Sequence, residues 1–199
     1  MNPTLNCGIA MPAKTYRNPR YLAYRLECPG HRCTNQPVGD VASPLSDVKV
    51  FRPGLSCLFL RGERPSMKGV LVRFCFTVMA RGRLRIFYLR SPDGRLAHTS
   101  CVVPKCFKFP FLVDGDFEIG PCLTYPDFRK QGLYVKVLRH IIRIVGEEEG
   151  RRARCWMFVK ENNTASIKGI ERAGLSRVGT VETSRWFKIY RLRRDNTDD

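Results

Sequence analysis

Arg129-Lys130-Gln131-Gly132 sits between a proline-bearing apolar strand and a long helical pattern, a junction whose chemistry suits phosphate or pyrophosphate. A strand that delivers a short loop into a helix N-terminus aims unpaired backbone N–H groups and the positive end of the helix dipole at one point. Pro121 adds a second feature. A proline inside a strand forfeits a ladder hydrogen bond and is tolerated chiefly at a bulge or an edge, and here Gly120 precedes it. The strand is therefore expected to bend and part from its neighbour just before the basic turn. The main-chain groups so exposed can pair with an extended, amide-bearing ligand.

Other side chains carry chemistry with less context. Glu118, on the strand leading to the cleft, is the first candidate for a general base; a carboxylate on a solvated face or paired with an arginine is the equal alternative. His98 falls on a hairpin with its facing side undetermined, and His140 reads as a surface residue of the long helix. Ser166 has no base-oriented serine motif around it, and Cys122 reads as a small packing residue rather than an acyl carrier. Cys28, His31 and Cys33, with Cys57 at a distance, could supply zinc ligands, but their spacing fits no common finger and no metal is expected. The nine cysteines are odd in number and scattered singly, so they read as reduced thiols.

The pattern along the chain supplies a scaffold. Val70 to Met79 and Arg83 to Leu89 read as strands, Ser91-Pro92-Asp93-Gly94 as a turn, and Arg95 to Val103 as the returning strand. Asp116 to Thr124 is the next strand. Leu138, Ile141, Ile142 and Val145, with Tyr134 one turn earlier, make Gly132 to about Glu149 an amphipathic helix packed on a sheet. Cys155 to Val159 lacks alternation, as a strand covered on both faces does, and the helix before it makes it parallel to strand 116–124. Asn163 caps a second helix through Ala173, Gly174 ends it, and two last strands run to near Leu192. This order predicts an α/β (α+β layered) sheet backed by helices.

Eight of the thirteen prolines fall within the first 65 residues, which are expected to be an irregular N-terminal segment with a short helix around Tyr16 to Leu26. Residues 66–199 are the expected folded domain, and Met67 as the true start stays open. The net charge of +17 is spread through both parts and attracts anions. No apolar run is long enough for a transmembrane helix and no signal-peptide pattern opens the chain, so a cytoplasmic protein without a membrane partner is expected. Nucleic acid has only the charge in its favour, since no recognition motif accompanies it.

Ile119-Gly120-Pro121-Cys122-Leu123-Thr124-Tyr125-Pro126-Asp127-Phe128-Arg129-Lys130-Gln131-Gly132-Leu133-Tyr134 resembles the cofactor motif of the GNAT superfamily of N-acetyltransferases. That motif is Arg or Gln, two residues, Gly, one residue, then Gly or Ala, after a bulged strand. Tyr134 departs from it, standing where the second small residue belongs. Asn163-Thr164-Ala165-Ser166, followed by Glu171-Arg172-Ala173-Gly174-Leu175, is similar to a second motif, and the likeness runs from about residue 66 to 193. The resemblance implies a GNAT-like mixed sheet with splayed central parallel strands flanked by helices. It implies acetyl-CoA as acyl donor, with backbone groups of Leu123 and Thr124 on the pantetheine arm and Asn163 reaching that arm from the other side. The N–H groups of Lys130, Gln131, Gly132, Leu133 and Tyr134 would hold the pyrophosphate, with Arg129 adding charge. Gly132 would let the backbone approach without a Cβ in the way.

The implied reaction is direct attack of a small, anionic amine on the thioester. The wording is similar to bacterial members linked to surface-glycan or other secondary biosynthesis, which points to an amino sugar or sugar nucleotide. Many members supply an acid from a tyrosine seven residues after the asparagine, where this chain has Ile170. A module that binds CoA or acyl-CoA without turnover is the alternative. A monomer or a homodimer is expected.

Overall fold

The computed structural model describes residues 20–28, 47–55, 57–63, 66–105, 109–150, 153–183 and 190–194. In chain order the elements are β1 (Tyr21–Glu27), β2 (Lys49–Phe51), α1 (Met67–Met79), β3 (Arg85–Arg90), β4 (Leu96–Pro104), β5 (Asp116–Thr124), α2 (Leu133–Glu149), β6 (Arg154–Lys160), α3 (Thr164–Arg172), β7 (Ser176–Thr183) and β8 (Tyr190–Arg194). A single 3-10 turn, Pro126–Phe128, joins β5 to α2. The eight strands form one mixed sheet in the order β2-β3-β4-β5-β6-β1-β7-β8, in which the β5/β6 pair is parallel and the others antiparallel.

Strand β6 shows why its sequence does not alternate. Cys155, Met157 and Val159 join the main core beneath α2, while Trp156 and Phe158 pack with Phe109 on the other side of the sheet. Phe109 stacks on Phe158 at 4.3 Å. Helix α2 presents Val137, Leu138, Ile141, Ile142 and Val145 to that main core, and each buried aliphatic contributes about 1.5–3 kcal/mol. Its last turn carries Glu147, Glu148 and Glu149 against the dipole. Arg143 bonds Glu147 at 2.8 Å, Arg83, just before β3, bonds Glu149 at 3.0 Å, and Arg85 at the start of β3 bonds Glu148.

Two expectations fail. The segment from Val70 to Met79 is helix α1, not a strand. Ser66 caps it by accepting from Gly69 N–H at 3.1 Å, and Val70, Arg73, Phe76, Thr77 and Ala80 recur at three- and four-residue spacing on its covered side. Its β-branched and aromatic content hid that period, because Leu71, Phe74 and Val78 stand exposed. The second failure is at the N-terminus. Tyr21–Glu27 lies in neither an irregular segment nor a helix but is strand β1, inserted between β6 and β7 and paired along its whole length with β6. With β2 on the outer edge of β3, the sheet therefore draws two strands from the first 65 residues. Leu22, Ala23 and Tyr24 are buried there, and Tyr24 Oη donates to Glu171 at 3.0 Å, tying β1 to α3.

Candidate functional site

Strands β5 and β6 pair at Asp116↔Arg154, Phe117↔Cys155 and Glu118↔Trp156, and there the ladder ends, although β5 runs on to Thr124 and β6 to Lys160. The cause lies in β5. Opposite β4, Ser100 faces Cys122 and Val102 faces Ile119, so Gly120 and Pro121 together oppose the one residue Cys101. That is a bulge, and Pro121 has no N–H to return to a ladder. The Gly120-Pro121 peptide is cis. Two rungs before the splay, the Asp116–Arg154 ion pair is bidentate. Buried Asp116 accepts from Arg154 Nε at 2.6 Å and Nη2 at 3.1 Å, and also from Val113 N–H at 2.9 Å.

Past the splay, the end of β5, the start of α2 and the side of α3 enclose a groove of about 690 Å³. Leu123, Thr124, Arg129, Lys130, Gln131, Gly132, Leu133, Tyr134 and Asn163 all line it, together with Cys122, Ser166 and Lys168. Lys130 and Gly132 are left-handed, at φ +62° and +71°. Gly132 caps α2 without a side chain, and the first intrahelical bond runs from Lys136 N–H to Gly132 O at 3.1 Å. The amides of Leu133, Tyr134 and Val135 thus precede any intrahelical acceptor, and the helix dipole adds positive potential. A Cβ at Gly132 would meet nothing within 4 Å, so the glycine answers to its φ and leaves open space before those amides.

Side chains hold the turn in place. Arg129 Nε donates to Thr124 O at 3.3 Å and Gln131 Nε2 to Asp127 O at 3.4 Å, tying the basic turn back to the end of β5 and to the 3-10 turn. Asn163 Oδ1 accepts from Ser166 N–H at 3.2 Å. That commits the oxygen to capping α3 and keeps the amide NH2 as the group available to a ligand. Tyr134 lies over Gly169 of α3, its ring filling the room that a side chain there would need. Burial pushes its hydroxyl far above the ordinary tyrosine range. Ile170 is enclosed in the core.

A polar cluster that sequence reasoning did not place lies beneath the groove. His98 on β4 is 0% exposed, with Nδ1 2.7 Å from Thr124 Oγ1 and Nε2 2.8 Å from Ser100 Oγ. Its ring stands 6.0 Å from that of Tyr134. Burial lowers His98 to about 4, so the imidazole is neutral at physiological pH. Burial first, and the neighbouring Cys101 and Glu118 after it, push the Cys122 thiol up to about 12. The signal for this cluster was the spacing of His98 with Ser100 and of Cys122 with Thr124, two residues apart on each strand, but only the register joins the pairs.

Glu118 sits on the last paired rung, opposite Val103 and beside Trp156, and does not line the groove. A carboxylate oxygen stands 3.8 Å from where a Cβ on Gly120 would be, at the root of the splay. His140 is half-buried on α2 with its ring 6.1 Å from that of Phe87, and burial lowers its pKa. His31 and Cys33 lie outside the described residues. Cys28 Sγ lies 3.5 Å from that of buried Cys155. Among the described residues no group of three His, Cys, Asp or Glu side chains could hold a metal ion.

No family model matches the sequence, and no curated protein does. Among solved structures, an acetyltransferase of the GNAT family from Colwellia psychrerythraea superposes with a TM-score of 0.50 at 14% identity, over 80% of this chain and 53% of that one. The chain has a GNAT fold. A tandem GNAT protein from the clavulanic acid biosynthesis pathway is also similar, with a TM-score of 0.49 and 18% identity over 80% of this chain and 50% of that one. So is the ribosomal-protein-S18-alanine N-acetyltransferase from Escherichia coli, with a TM-score of 0.47 and 18% identity over 70% and 84%. The chain thus spans about half the length of the first of these. Within this GNAT fold the parallel strands separate beyond Glu118 and the amide-rich turn begins at Arg129. No described helix is long and apolar enough to cross a membrane.

Proposed function

We propose that the chain is an acyl-CoA-dependent N-acyltransferase that takes acetyl-CoA as donor and transfers the acyl group directly to a small amine. The observation that carries this reading is the convergence of the unladdered end of β5, the open amides of α2 and Asn163 on one groove. An extended arm with amide groups pairs with the free edge at Leu123 and Thr124, and its diphosphate rests on the amides from Lys130 to Tyr134 with Arg129 adding charge. When bound, acetyl-CoA supplies an activated thioester at the root of the splay. The chain's own residues orient it there and exclude water, and positioning of this kind contributes roughly 7–11 kcal/mol to lowering a barrier.

Glu118, at the root of the splay, is the group we assign to take the amine's proton, directly or through one water. The acceptor we assign is a small amine carrying negative charge, of the amino-sugar or sugar-nucleotide class, because phosphate groups complement a chain of net charge +17. Isothermal titration with acetyl-CoA tests the donor half: a folded chain that gives no heat at hundreds of micromolar ligand removes it. Thiol release with a panel of amines tests turnover. One observation favours a second reading, a CoA-binding module that does not turn over. Ile170 is buried in the core, so α3 offers no hydroxyl at that position to protonate the leaving sulfur. Binding without thiol release across the panel selects that reading.

A further inference from the structure

Six of the ten large apolar side chains that stand exposed among the described residues belong to one element, α1. The covered side of that helix is already satisfied, with Phe76 packed on Ala80, Leu84 and Val103 and with Thr77 buried. On its other side Met67, Leu71, Phe74 and Val78 are 86%, 64%, 45% and 51% exposed, and Val72 and Met79 stand beside them at 45% and 43%. A single exposed leucine needs no explanation, but a contiguous apolar patch on a folded chain marks a surface that something covers.

The pattern on α1 says what covers it. Met67, Leu71, Phe74 and Val78 follow one another at spacings of four, three and four, the repeat by which a helix meshes with a second helix of the same kind. None of the four is charged, and Arg73, in the middle of the helix, is turned off the seam to Glu63 Oε1 and Leu58 O, each at 3.3 Å. The partner face must then be apolar too, and this seam is itself such a face. The six exposed side chains leave roughly 600 Å² in water, so two copies face to face hold about 1,200 Å² between them, the lower end of what a specific complex buries. We propose that α1 is the interface of a homodimer, in which two copies of the chain pair their α1 seams across a twofold axis. Charge fixes how that pairing answers to salt. Each copy carries +17, so the copies repel one another and salt screens the repulsion. An apolar seam between them therefore tightens as salt is raised, whereas attachment of the same face to an anionic surface loosens.

Analytical ultracentrifugation of the full chain from about 1 to about 100 micromolar reads the mass directly. A dimer is expected, with a dissociation constant that falls as salt is raised from about 0.1 to about 0.5 M. Leu71→Gln combined with Phe74→Gln, which leaves the charge unchanged, raises that constant more than about tenfold. Val113→Gln, at a residue 48% exposed and off α1, leaves it as it was. Should the double variant not fold, Val78→Gln makes the same cut with one side chain. A parent chain that stays monomeric at every concentration overturns the proposal, and so does a dimer that the α1 substitutions leave intact. A monomer that cosediments with vesicles of anionic phospholipid, and leaves them as salt is raised, overturns it as well and gives the face to a membrane surface.

Discussion

A Cβ placed on Gly169 would stand 2.5 Å from Cδ1 and 2.7 Å from Cε1 of Tyr134, so the tyrosine of α2 fits because α3 has no side chain at that point. The two residues lie 35 positions apart and form one unit of the groove wall. In an exposed helix, Gly→Ala stabilises by about 0.5–1 kcal/mol. Here Gly169→Ala is expected to destabilise by about 1–3 kcal/mol, because the ring must leave its rotamer. In a Tyr134→Ala background the same substitution should stabilise. Urea unfolding of the four chains checks it, and two effects that simply add would show that the packing is not shared.

Gly132→Val places a β-branched residue at φ +71° where no atom lies within 4 Å. The folded state loses roughly 1–2 kcal/mol through backbone strain alone. Affinity for acetyl-CoA should fall more than tenfold, since the new side chain stands before the open amides. An unchanged affinity in a folded variant would place the diphosphate elsewhere.

The Asp116–Arg154 pair closes the first of the three rungs that join the strands before they part. Asp116→Ala leaves a guanidinium without its carboxylate and frees the Val113 amide, and is expected to cost about 3 kcal/mol. Thermal and urea unfolding measure this. A loss below about 1 kcal/mol would mean that the splay does not depend on this anchor.

His98 gives the protein an acid-sensitive core. Its folded-state pKa lies at about 4 against an ordinary value of 6.5, so the unfolded chain takes up the proton first as pH falls. The stability held by the neutral ring is complete above the unfolded value and is lost as pH drops from about 6.5 to about 4, by ~3 kcal/mol in all. His98→Gln removes this slope from the pH dependence of unfolding. A slope of the same size in both chains would assign it to other groups.

Glu118→Gln separates chemistry from binding. If Glu118 takes the amine's proton, turnover falls by at least tenfold while acetyl-CoA affinity changes less than twofold. An affinity loss with unchanged turnover at saturation would make Glu118 a part of the scaffold.

The residues from Asp116 to Gly174 declared their own structure. A helical period of about 3.6 residues, a capping asparagine and a glycine at each helix end are rules acting within a few residues, so α2, α3 and the turn at Arg129 could be read directly, and so could the bend at Gly120-Pro121. The turn side chains converge because they are contiguous in the chain. Where the reading failed, composition had overruled period, as in α1, or the deciding partner was remote. Tyr21–Glu27 becomes a central strand because β6, more than 120 residues away, leaves an edge between itself and β7 that only an added antiparallel strand can satisfy. The joining of His98 and Ser100 to Thr124 and Cys122 likewise followed from register. Local order is written in neighbouring side chains, whereas which surfaces meet is settled only when all unpaired backbone and uncovered apolar faces compete for partners at once.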